Sequence, residues 1–277
     1  MTIDKIEHID GATIQHGMLS KRIYLMHLAD AEPIQLTEKL EILAKSNGYT
    51  KIFAKVPASS LPAFKKKDYI KEAEIPYFFK GRESAVFLGR FFDHERQKAS
   101  DEKEIRLILD LSLQAHGKVS PSFPDNFNFR KCRNEDTQAM SRIYSTVFPT
   151  YPFPIDNPGY LHQTMQSHIL YFGAEHDRNL VALASSEMDR ENENVEMTDF
   201  ATLPSWRGHS LAALLLDKME SSMHKKGMKT AYTIARALSP GINITFAKAG
   251  YTFSGTLTNN TNISGSIESM NVWHKTL

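Results

Sequence analysis

Residues 195–223, with the sequence VEMTDFATLPSWRGHSLAALLLDKMESSM, decide the fold of this chain. Alternating polar and apolar residues predict a strand, Pro204 predicts a turn, and a short loop of small and polar residues leads into a helix. The apolar side of that helix carries Leu211, Leu214 and Met219. A strand, a tight loop and a helix in this order direct several main-chain N–H groups and a helix N-terminus at one point, which makes a site for a phosphate group.

The elements on either side of this stretch predict an α/β domain. On its N-terminal side, strands are expected at residues 127–132, 169–175, 180–189 and 194–203. Two helices separate the first two of these strands, one with Asn134 as its candidate N-cap and one over residues 160–167. On the C-terminal side we expect a strand at residues 230–235, a Ser-Pro-Gly turn, a helix ending at Lys248 and two closing strands.

Residues 207–212, RGHSLA, resemble the pyrophosphate loop of the GNAT acetyltransferases, whose pattern is Gln/Arg-x-x-Gly-x-Gly/Ala. Arg207 and Ala212 match this pattern, whereas Ser210 stands where the family has glycine. A serine is expected to be tolerated there if its φ is negative, although it crowds the approach of the main chain to a pyrophosphate. The resemblance covers residues 127–277. It implies the GNAT acyl-CoA N-acyltransferase fold, of the α/β (α+β) class, with a mixed, mostly antiparallel sheet flanked by helices.

A narrower resemblance extends along nearly the whole chain. The segments TIARALSPGINITFAKAGY, SGTLTNNTNISGSIESMNVWHK and, near the N-terminus, IFAKVPASS are similar to those of the β-lysine N6-acetyltransferases. Those enzymes acetylate the terminal amine of 3,6-diaminohexanoate, which an aminomutase makes from lysine, to give a compatible solute. The resemblance implies acetyl-CoA as the cosubstrate, N6-acetyl-β-lysine as the product and a small-molecule amine as the partner.

The N-terminal part predicts a smaller α/β unit. Residues 48–73 repeat the order strand, turn, aromatic-bearing helix and strand that residues 227–255 show. This unit is therefore either a degenerate half-copy of the C-terminal fold or an unrelated α/β unit. We expect three parts, namely the N-terminal α/β unit at residues 1–95, a linker helix with a Pro-rich break at 96–125, and the acetyltransferase domain at 126–277.

The composition excludes several classes of partner. A formal net charge of +1 gives no broad basic footprint for nucleic acid or an anionic membrane. The apolar runs are too short to span a bilayer and the N-terminus lacks the apolar core of a signal peptide, so a cytoplasmic protein is expected. The eleven histidines are scattered without a ligand motif, so no metal is expected. The oligomeric state stays open, with a homodimer as one alternative.

Acetyl transfer to an alkyl amine requires a base, because at neutral pH only about one such amine in a thousand is unprotonated. Glu196 lies eleven residues before Arg207, which is the spacing of the catalytic glutamate in histone-type GNAT enzymes. Asp199 is the alternative base, expected on the opposite face of the strand by alternation. The tyrosine that serves as acid in the family corresponds to Phe246 here, which leaves Tyr232 or water as the acid.

Further residues are expected to contact the two substrates. For the coenzyme they are Phe200, Ala201, Thr202, Leu203, Arg207, Gly208, His209, Ser210, Leu211, Ala212, Asn243 and Phe246, with the main-chain N–H near Phe200 facing the thioester oxygen and Lys225 and Lys226 as further phosphate contacts. For the amine substrate they are Tyr151, Phe153, Glu187, Asn260 and Glu268, and Asn259, Asn260 and Asn262 are the candidates for binding its carboxylate. Ordinary turn chemistry is the alternative for the asparagines, solvated charge for the two lysines, and a core position for Phe246.

Two other functions stay open at this point. The first is acetylation of another amine, such as lysine, a polyamine or a protein lysine. The second is a non-catalytic acyl-CoA-binding sensor, which the departures from the family pattern at Ser210 and Phe246 suggest.

Overall fold

A computed structural model describes residues 4–117 and 126–277. Its strands are β1 (Lys5–Ile9), β2 (Ala12–Gly17), β3 (Arg22–His27), β4 (Lys51–Pro57), β5 (Ile70–Phe79), β6 (Glu83–Phe91), β7 (Asn128–Lys131), β8 (Ile169–His176), β9 (Asn179–Asp189), β10 (Asn194–Thr202), β11 (Thr230–Arg236), β12 (Thr252–Ile263) and β13 (Ser266–Thr276). Its α-helices are α1 (Pro33–Ser46), α2 (Leu61–Lys65), α3 (Glu102–Gln114), α4 (Thr137–Val147), α5 (Pro158–Met165), α6 (Leu211–His224) and α7 (Pro240–Lys248).

All the described strands form one 13-stranded sheet in the order β1-β2-β3-β4-β6-β5-β12-β13-β11-β10-β9-β8-β7. Only the pairs β3–β4 and β10–β11 are parallel, and the other neighbours are antiparallel. The prediction of a mixed, mostly antiparallel sheet flanked by helices is thus confirmed. In addition, β1 and β2 extend the N-terminal unit beyond the strands that the sequence predicts.

The two halves of the sheet have the same topology. The order β1-β2-β3-β4-β6-β5 is repeated by β8-β9-β10-β11-β13-β12. In each half a helix connects the two parallel strands, α1 in one and α6 in the other, and a short helix, α2 or α7, then precedes an antiparallel pair. This topology favours a copy of the C-terminal fold over an unrelated unit, and the copy includes every C-terminal strand except β7.

The halves join edge to edge where β5 meets β12. Gly255 pairs there with Ala73 and has a φ of 146°, in the region that favours glycine. A Cβ atom on Gly255 would lie 2.2 Å from the main-chain oxygen of Glu72. The main chains of β5 and β12 are therefore so close at this point that only glycine fits between them.

Buried cations from the part of the chain before α3 stabilise this junction. Lys51 forms an ion pair of 2.8 Å with Glu72 and donates to the Thr258 carbonyl at 2.7 Å. Arg96 donates to the Asn259 carbonyl at 2.6 Å. Arg22 donates to the Asn260 carbonyl and to the Thr261 hydroxyl. The three cations thus supply hydrogen bonds to main-chain carbonyls of β12 where its pairing with β13 is interrupted.

The joined sheet curls so that β4 lies against β11. Four strands separate these two in the sheet, which would put them more than about 20 Å apart if it were flat. Their side chains nevertheless meet, since the Lys55 ammonium lies 3.0 Å from the Tyr232 hydroxyl. The concave face so formed buries an aromatic core that includes Phe53, Phe78 and Phe87.

Helices cover the rest of the sheet. On the convex side, α1 and α2 pack on the N-terminal half, and α6 and α7 pack on the C-terminal half. On the concave side, α4 and α5 cover β8–β10. Helix α3 contacts α7, so the segment assigned to a linker packs on the acetyltransferase half. The division at residues 95 and 125 stays a prediction, and the expected Pro-rich break at residues 120–124 lies outside the described residues.

The prediction of Asn134 as an N-cap is wrong. Asn134 begins a short 3-10 helix, Asn134–Asp136, and α4 starts only after it. The Thr137 hydroxyl donates to the Asn134 carbonyl at 3.0 Å, so the main chain of Asn134 takes part in the turn instead of its side chain. Within the described ranges, no helix has the length and apolar character needed to cross a membrane.

Candidate active site

A cleft opens where β10 and β11 separate. The two strands pair in parallel only over residues 194–196 and 230–232, although both continue beyond. The main-chain groups of β10 that face the gap thus lack a neighbouring strand, and an extended molecule can pair with them as a strand would. A cavity of about 1290 Å³ begins here and continues along the concave face of the sheet to the N-terminal unit.

The loop before α6 lines one end of this cavity. Arg207, Gly208, Ser210, Leu211 and Ala212 all contribute to its wall. The first helical hydrogen bond of α6 runs from the Leu214 N–H to the Ser210 carbonyl at 3.2 Å. The N–H groups of the first three helical residues therefore have no acceptor inside the helix, which is the arrangement that binds anions.

Ser210 adopts a left-handed conformation, with φ 59° and ψ 20°. The negative φ on which the expected tolerance of a serine depended is therefore not found. The loop turns through two residues with positive φ, since Gly208 two residues earlier has a φ of 88°. The serine therefore adopts a conformation that costs an L-residue about 1–2 kcal/mol.

Three residues predicted to contact phosphate lie elsewhere. His209 does not line the cavity, since its ring packs at 5.8 Å from Phe127 and its Nδ1 donates to the Trp206 carbonyl at 3.2 Å. Lys225 and Lys226 follow the far end of α6, and its 14 residues separate them from the loop by about 20 Å. The phosphate role predicted for the two lysines is therefore wrong.

The equivalent turn in the N-terminal unit is unsuited to phosphate. Between β3 and α1 it carries Asp30 and Glu32 and contains no glycine. The Glu32 carboxylate accepts the Gln35 N–H at 2.7 Å, so a carboxylate of the chain itself already caps α1. Only the C-terminal copy therefore offers an anion site of this kind in the described part of the chain.

The other predicted coenzyme residues divide into two groups. Phe200 and Thr202 line the cavity, whereas Ala201 is buried and the Leu203 N–H already donates to the Val181 carbonyl. Neither Asn243 nor Phe246 contributes to the cavity wall.

Asn243 and Phe246 have structural positions instead. The amide of Asn243 donates to the Arg236 and Ser239 carbonyls and accepts from Asn271 and Trp273, all within 2.8–2.9 Å. Phe246 is fully buried, with its ring edge-on to Tyr251. We assign both residues to the core, in place of the coenzyme contacts that the sequence predicts.

Three carboxylates converge on the concave face beside the cleft. Glu196 on β10 lies directly opposite Glu187 on β9. Asp199 joins them because β10 has a bulge after Thr198, where Asp199 adopts a φ of 55°. The prediction that Asp199 lies on the opposite face is therefore wrong, since the bulge interrupts the alternation.

The Asp199 carboxylate is held by two hydroxyl groups. Tyr151 donates to it at 2.5 Å and Ser185 donates at 2.6 Å. Burial nevertheless raises the pKa of Asp199, with a further contribution from the charge of Glu187. Tyr151 is thus brought to the acidic cluster from the loop between α4 and α5.

Glu196 has the electrostatics of a base for neutral pH. Burial, and then the negative charge of Glu187, raise its pKa to about 7. The ammonium of Lys55 and a hydrogen bond from Tyr232 act in the opposite direction. A carboxyl group with such a pKa can accept a proton more readily than an ordinary glutamate does.

Lys55 is the main residue that sequence reasoning missed at this end of the cavity. Its ammonium donates to the Tyr232 hydroxyl, which in turn donates to Glu196. Burial alone would lower the pKa of Lys55, but Tyr24 and the nearby carboxylates outweigh it and the pKa is raised. Burial and the charge of Glu196 hold the pKa of Tyr232 well above 10, so its hydroxyl keeps its proton.

The predicted amine contacts are only partly brought together. Tyr151, Phe153, Glu187 and Asn260 line the cavity. Glu268 does not, because its carboxylate is held by the Arg236 guanidinium at 2.7 and 2.9 Å. Glu268 is therefore a structural residue, and its predicted contact with the amine is wrong. Across the described ranges, no group of three potential metal ligands is found.

Comparison with known proteins shows the family. The acetyltransferase (GNAT) family model matches residues 137–251. The β-lysine N6-acetyltransferase of Methanococcus maripaludis is 38% identical over 277 residues, which is 99% of each chain. The N-acetyltransferase YodP of Bacillus subtilis is 30% identical over 96% of each chain. The β-lysine N6-acetyltransferase of Methanosarcina mazei is 29% identical over 88% of this chain and 97% of its own.

These relatives match the N-terminal unit as well as the acetyltransferase half, because they align along nearly the whole chain. Family membership also favours an enzyme over a non-catalytic acyl-CoA-binding sensor, since the matched family consists of acetyltransferases. The chain belongs to the GNAT family of N-acetyltransferases.

Proposed function

We propose that this enzyme transfers the acetyl group of acetyl-CoA to the terminal amine of β-lysine, giving N6-acetyl-β-lysine. The observation that carries the proposal is the acidic cluster of Glu187, Glu196 and Asp199 beside the cleft between β10 and β11. Such a cluster attracts an ammonium group. Two relatives that bear the name of this activity align along most or all of the chain.

The coenzyme fits the residues around the cleft. The N–H groups at the start of α6 and the side chain of Arg207 would hold its diphosphate, and the unpaired edge of β10 would hold its extended arm. Bound there, acetyl-CoA supplies an acetyl group activated as a thioester. Ser210 keeps the turn open, since its left-handed φ gives the main chain the course that a glycine would give.

The residues of the acidic cluster prepare the amine. The carboxylates of Glu187 and Asp199 orient the ammonium group, and the Glu196 carboxylate takes its proton at neutral pH because its pKa is about 7. Tyr232 holds its proton on the hydroxyl oxygen, between the Lys55 ammonium and Glu196. When the new N–C bond forms and the thioester C–S bond breaks, Tyr232 would give its proton to the departing thiolate, in place of the tyrosine that Phe246 replaces, and would recover a proton from Glu196, which has taken one from the amine.

A test measures CoA release from acetyl-CoA with a thiol-trapping dye over a panel of amines. The panel contains 3,6-diaminohexanoate, lysine, spermidine and a lysine-containing peptide. We expect the highest kcat/KM for 3,6-diaminohexanoate, and NMR of the product should show the acetyl group on N6 and not on N3. A higher kcat/KM for another amine would assign the enzyme to that amine, and tight CoA binding without turnover would revive the sensor alternative.

A further inference from the structure

Arg22 brings a buried positive charge to the far wall of the cavity. It lies on β3, is only 4% exposed and lines the cavity. Its Nη1 donates to the Asn260 carbonyl and to the Thr261 hydroxyl, both at 2.8 Å. Its Nε atom is buried without any partner.

The charge of Arg22 is not neutralised by an ion pair. Both of its hydrogen-bond acceptors are uncharged. Asp4 and Glu72 act on its charge only through space, since none of the described carboxylates forms a salt bridge or hydrogen bond with it. Its guanidinium instead lies 5.4 Å from the centre of the Tyr24 ring and 5.6 Å from that of Phe53. A buried cation is unfavourable unless an anion accompanies it, so this position calls for an anionic ligand.

Asn260 supplies a complementary acceptor beside Arg22. It is 1% exposed, lines the cavity, and its Oδ1 atom has no hydrogen-bond partner. Its Nδ2 atom already contacts the Thr261 hydroxyl at 3.3 Å. The amide can therefore accept a hydrogen bond from a cation, but has less to offer a carboxylate, which corrects the role expected from the sequence.

The cavity wall thus carries charges of both signs. The acidic cluster with Glu196 lies beside the cleft, and Arg22 lies on the wall that the N-terminal unit provides. Tyr24 also lines the cavity, contacts Arg22, and lies within electrostatic range of Glu196. A substrate that matches this wall has an alkyl ammonium at one end and a carboxylate with a second ammonium at the other.

We propose that Arg22 and Asn260 hold the aminocarboxylate end of the substrate, with the guanidinium donating to the carboxylate and Oδ1 of Asn260 accepting from the neighbouring ammonium. This inference rests on the proposed function and adds the residues that select an amino acid over a simple diamine. It also gives the N-terminal unit a task, which is to complete the amine site.

The test compares two substrates that differ only in the carboxylate. One is 3,6-diaminohexanoate and the other is pentane-1,4-diamine, its decarboxylated analogue. In Arg22→Gln we expect kcat/KM for 3,6-diaminohexanoate to fall about 10- to 100-fold, through KM, because a charged hydrogen bond is lost. The kcat/KM for the diamine should stay at its wild-type value. The ratio of the two constants does not depend on how much of the enzyme is folded.

Arg96→Gln is the matched control. Arg96 is also a buried arginine that contacts β12, but it does not line the cavity. Its replacement should lower stability without changing the ratio. If Arg22→Gln does not fold, Arg22→Lys keeps the charge but loses the planar fork, and should lower the same ratio.

Three results would overturn the inference. They are an equal loss for both substrates in the Arg22 variants, an unchanged KM for 3,6-diaminohexanoate, and equal use of both substrates by the wild-type enzyme. A wild-type enzyme that does not use 3,6-diaminohexanoate at all would instead contradict the proposed function.

Discussion

The ammonium of Lys55 lies 3.0 Å from the phenolic oxygen of Tyr232, although 177 positions separate the two residues in the chain. Lys55 belongs to the N-terminal unit and Tyr232 to the acetyltransferase half. Since Tyr232 also donates to Glu196, a residue of one half controls the electrostatics of the proposed base in the other.

Lys55→Met should shift the pH dependence of the reaction. Loss of the positive charge raises the pKa of Glu196 above about 7, because Lys55 lowers it in the wild-type enzyme. We expect the ionised fraction of Glu196 at pH 7 to fall about fivefold as a result. The measurement is kcat/KM from pH 6 to 9. The pH range over which kcat/KM increases should move to higher pH in the variant.

The control for this variant is Lys71→Met. Lys71 is an exposed lysine on β5, paired with Glu74 and outside the cavity wall. It should leave the pH profile unchanged. If kcat/KM increases over the same pH range in Lys55→Met and in the wild-type enzyme, Lys55 does not control the pKa of Glu196.

Glu196→Gln should remove the base. We expect kcat/KM at pH 7 to fall by about 100-fold or more, which is the usual contribution of a general base. The residual rate should rise with pH up to the pKa of the amine, because only the neutral amine then reacts. Glu191→Gln, in the exposed turn after β9, is the control. An unchanged kcat at neutral pH would remove Glu196 from the mechanism.

The same substitution should stabilise the fold at alkaline pH. The pKa of Glu196 is about 7 in the folded protein, against an ordinary value of 4.5. Between these values the folded state binds more protons than the unfolded state, so its contribution to stability decreases as pH rises from 4.5 to 7. At pH 8, Glu196→Gln should therefore increase the free energy of unfolding by about 1–3 kcal/mol. Urea denaturation of both proteins at pH 5 and 8 checks this, and equal differences at the two pH values would contradict it.

Ser210→Gly should increase stability without loss of coenzyme affinity. Relief of a left-handed serine gains about 1–2 kcal/mol, and the greater flexibility of the unfolded glycine offsets about 0.5–1 kcal/mol of that. A β-branched residue in Ser210→Val should destabilise the loop and weaken CoA binding. Thermal unfolding and calorimetric titration with CoA measure both effects, and weaker binding to the glycine variant would argue that the serine side chain contacts the coenzyme.

Gly255→Ala should disrupt the junction between the halves. Its Cβ would lie 2.2 Å from the Glu72 oxygen, a main-chain atom that cannot move away easily, so a loss of about 2–4 kcal/mol is expected. The control for stability is Gly241→Ala, because a Cβ there meets no atom within 4 Å. If the two variants unfold alike, strands β5 and β12 can move apart to accommodate the added methyl group without loss of stability.

The sequence predicts those parts of the molecule that depend on local signals. Leu36, Leu40 and Leu43 recur with a helical period and predict helix α1 over residues 33–46, where Pro33 opens it and Asn47-Gly48 ends it. Residues 207–212 form the expected loop because a turn and a helix start follow each other directly. The similar order of elements in residues 48–73 and 227–255 predicts a shared topology. In the structure, β4, α2 and β5 correspond to β11, α7 and β12.

Features that depend on distant contacts escape such reasoning. Lys55 and Arg22 have no local motif, and only the curl of the sheet brings them to the cavity. The place of Asp199 depends on a bulge that alternation cannot reveal. The sequence suggests ligands or turns for the asparagines after Thr258, but it does not reveal that the main-chain carbonyls of Asn259 and Asn260 accept hydrogen bonds from Arg96 and Arg22 at an interrupted strand pairing.

The edge-to-edge union of β5 with β12 assigns the two tasks of the enzyme to different stretches of the chain. If the proposed roles hold, the acyl donor is bound by the copy whose turn contains glycine, while Arg22 of the other copy contributes to the choice of the acceptor. Exchange of the first ninety or so residues between relatives should therefore alter which amine is accepted and leave acyl-donor use intact. A gene duplication can in this way turn a redundant domain into a specificity element.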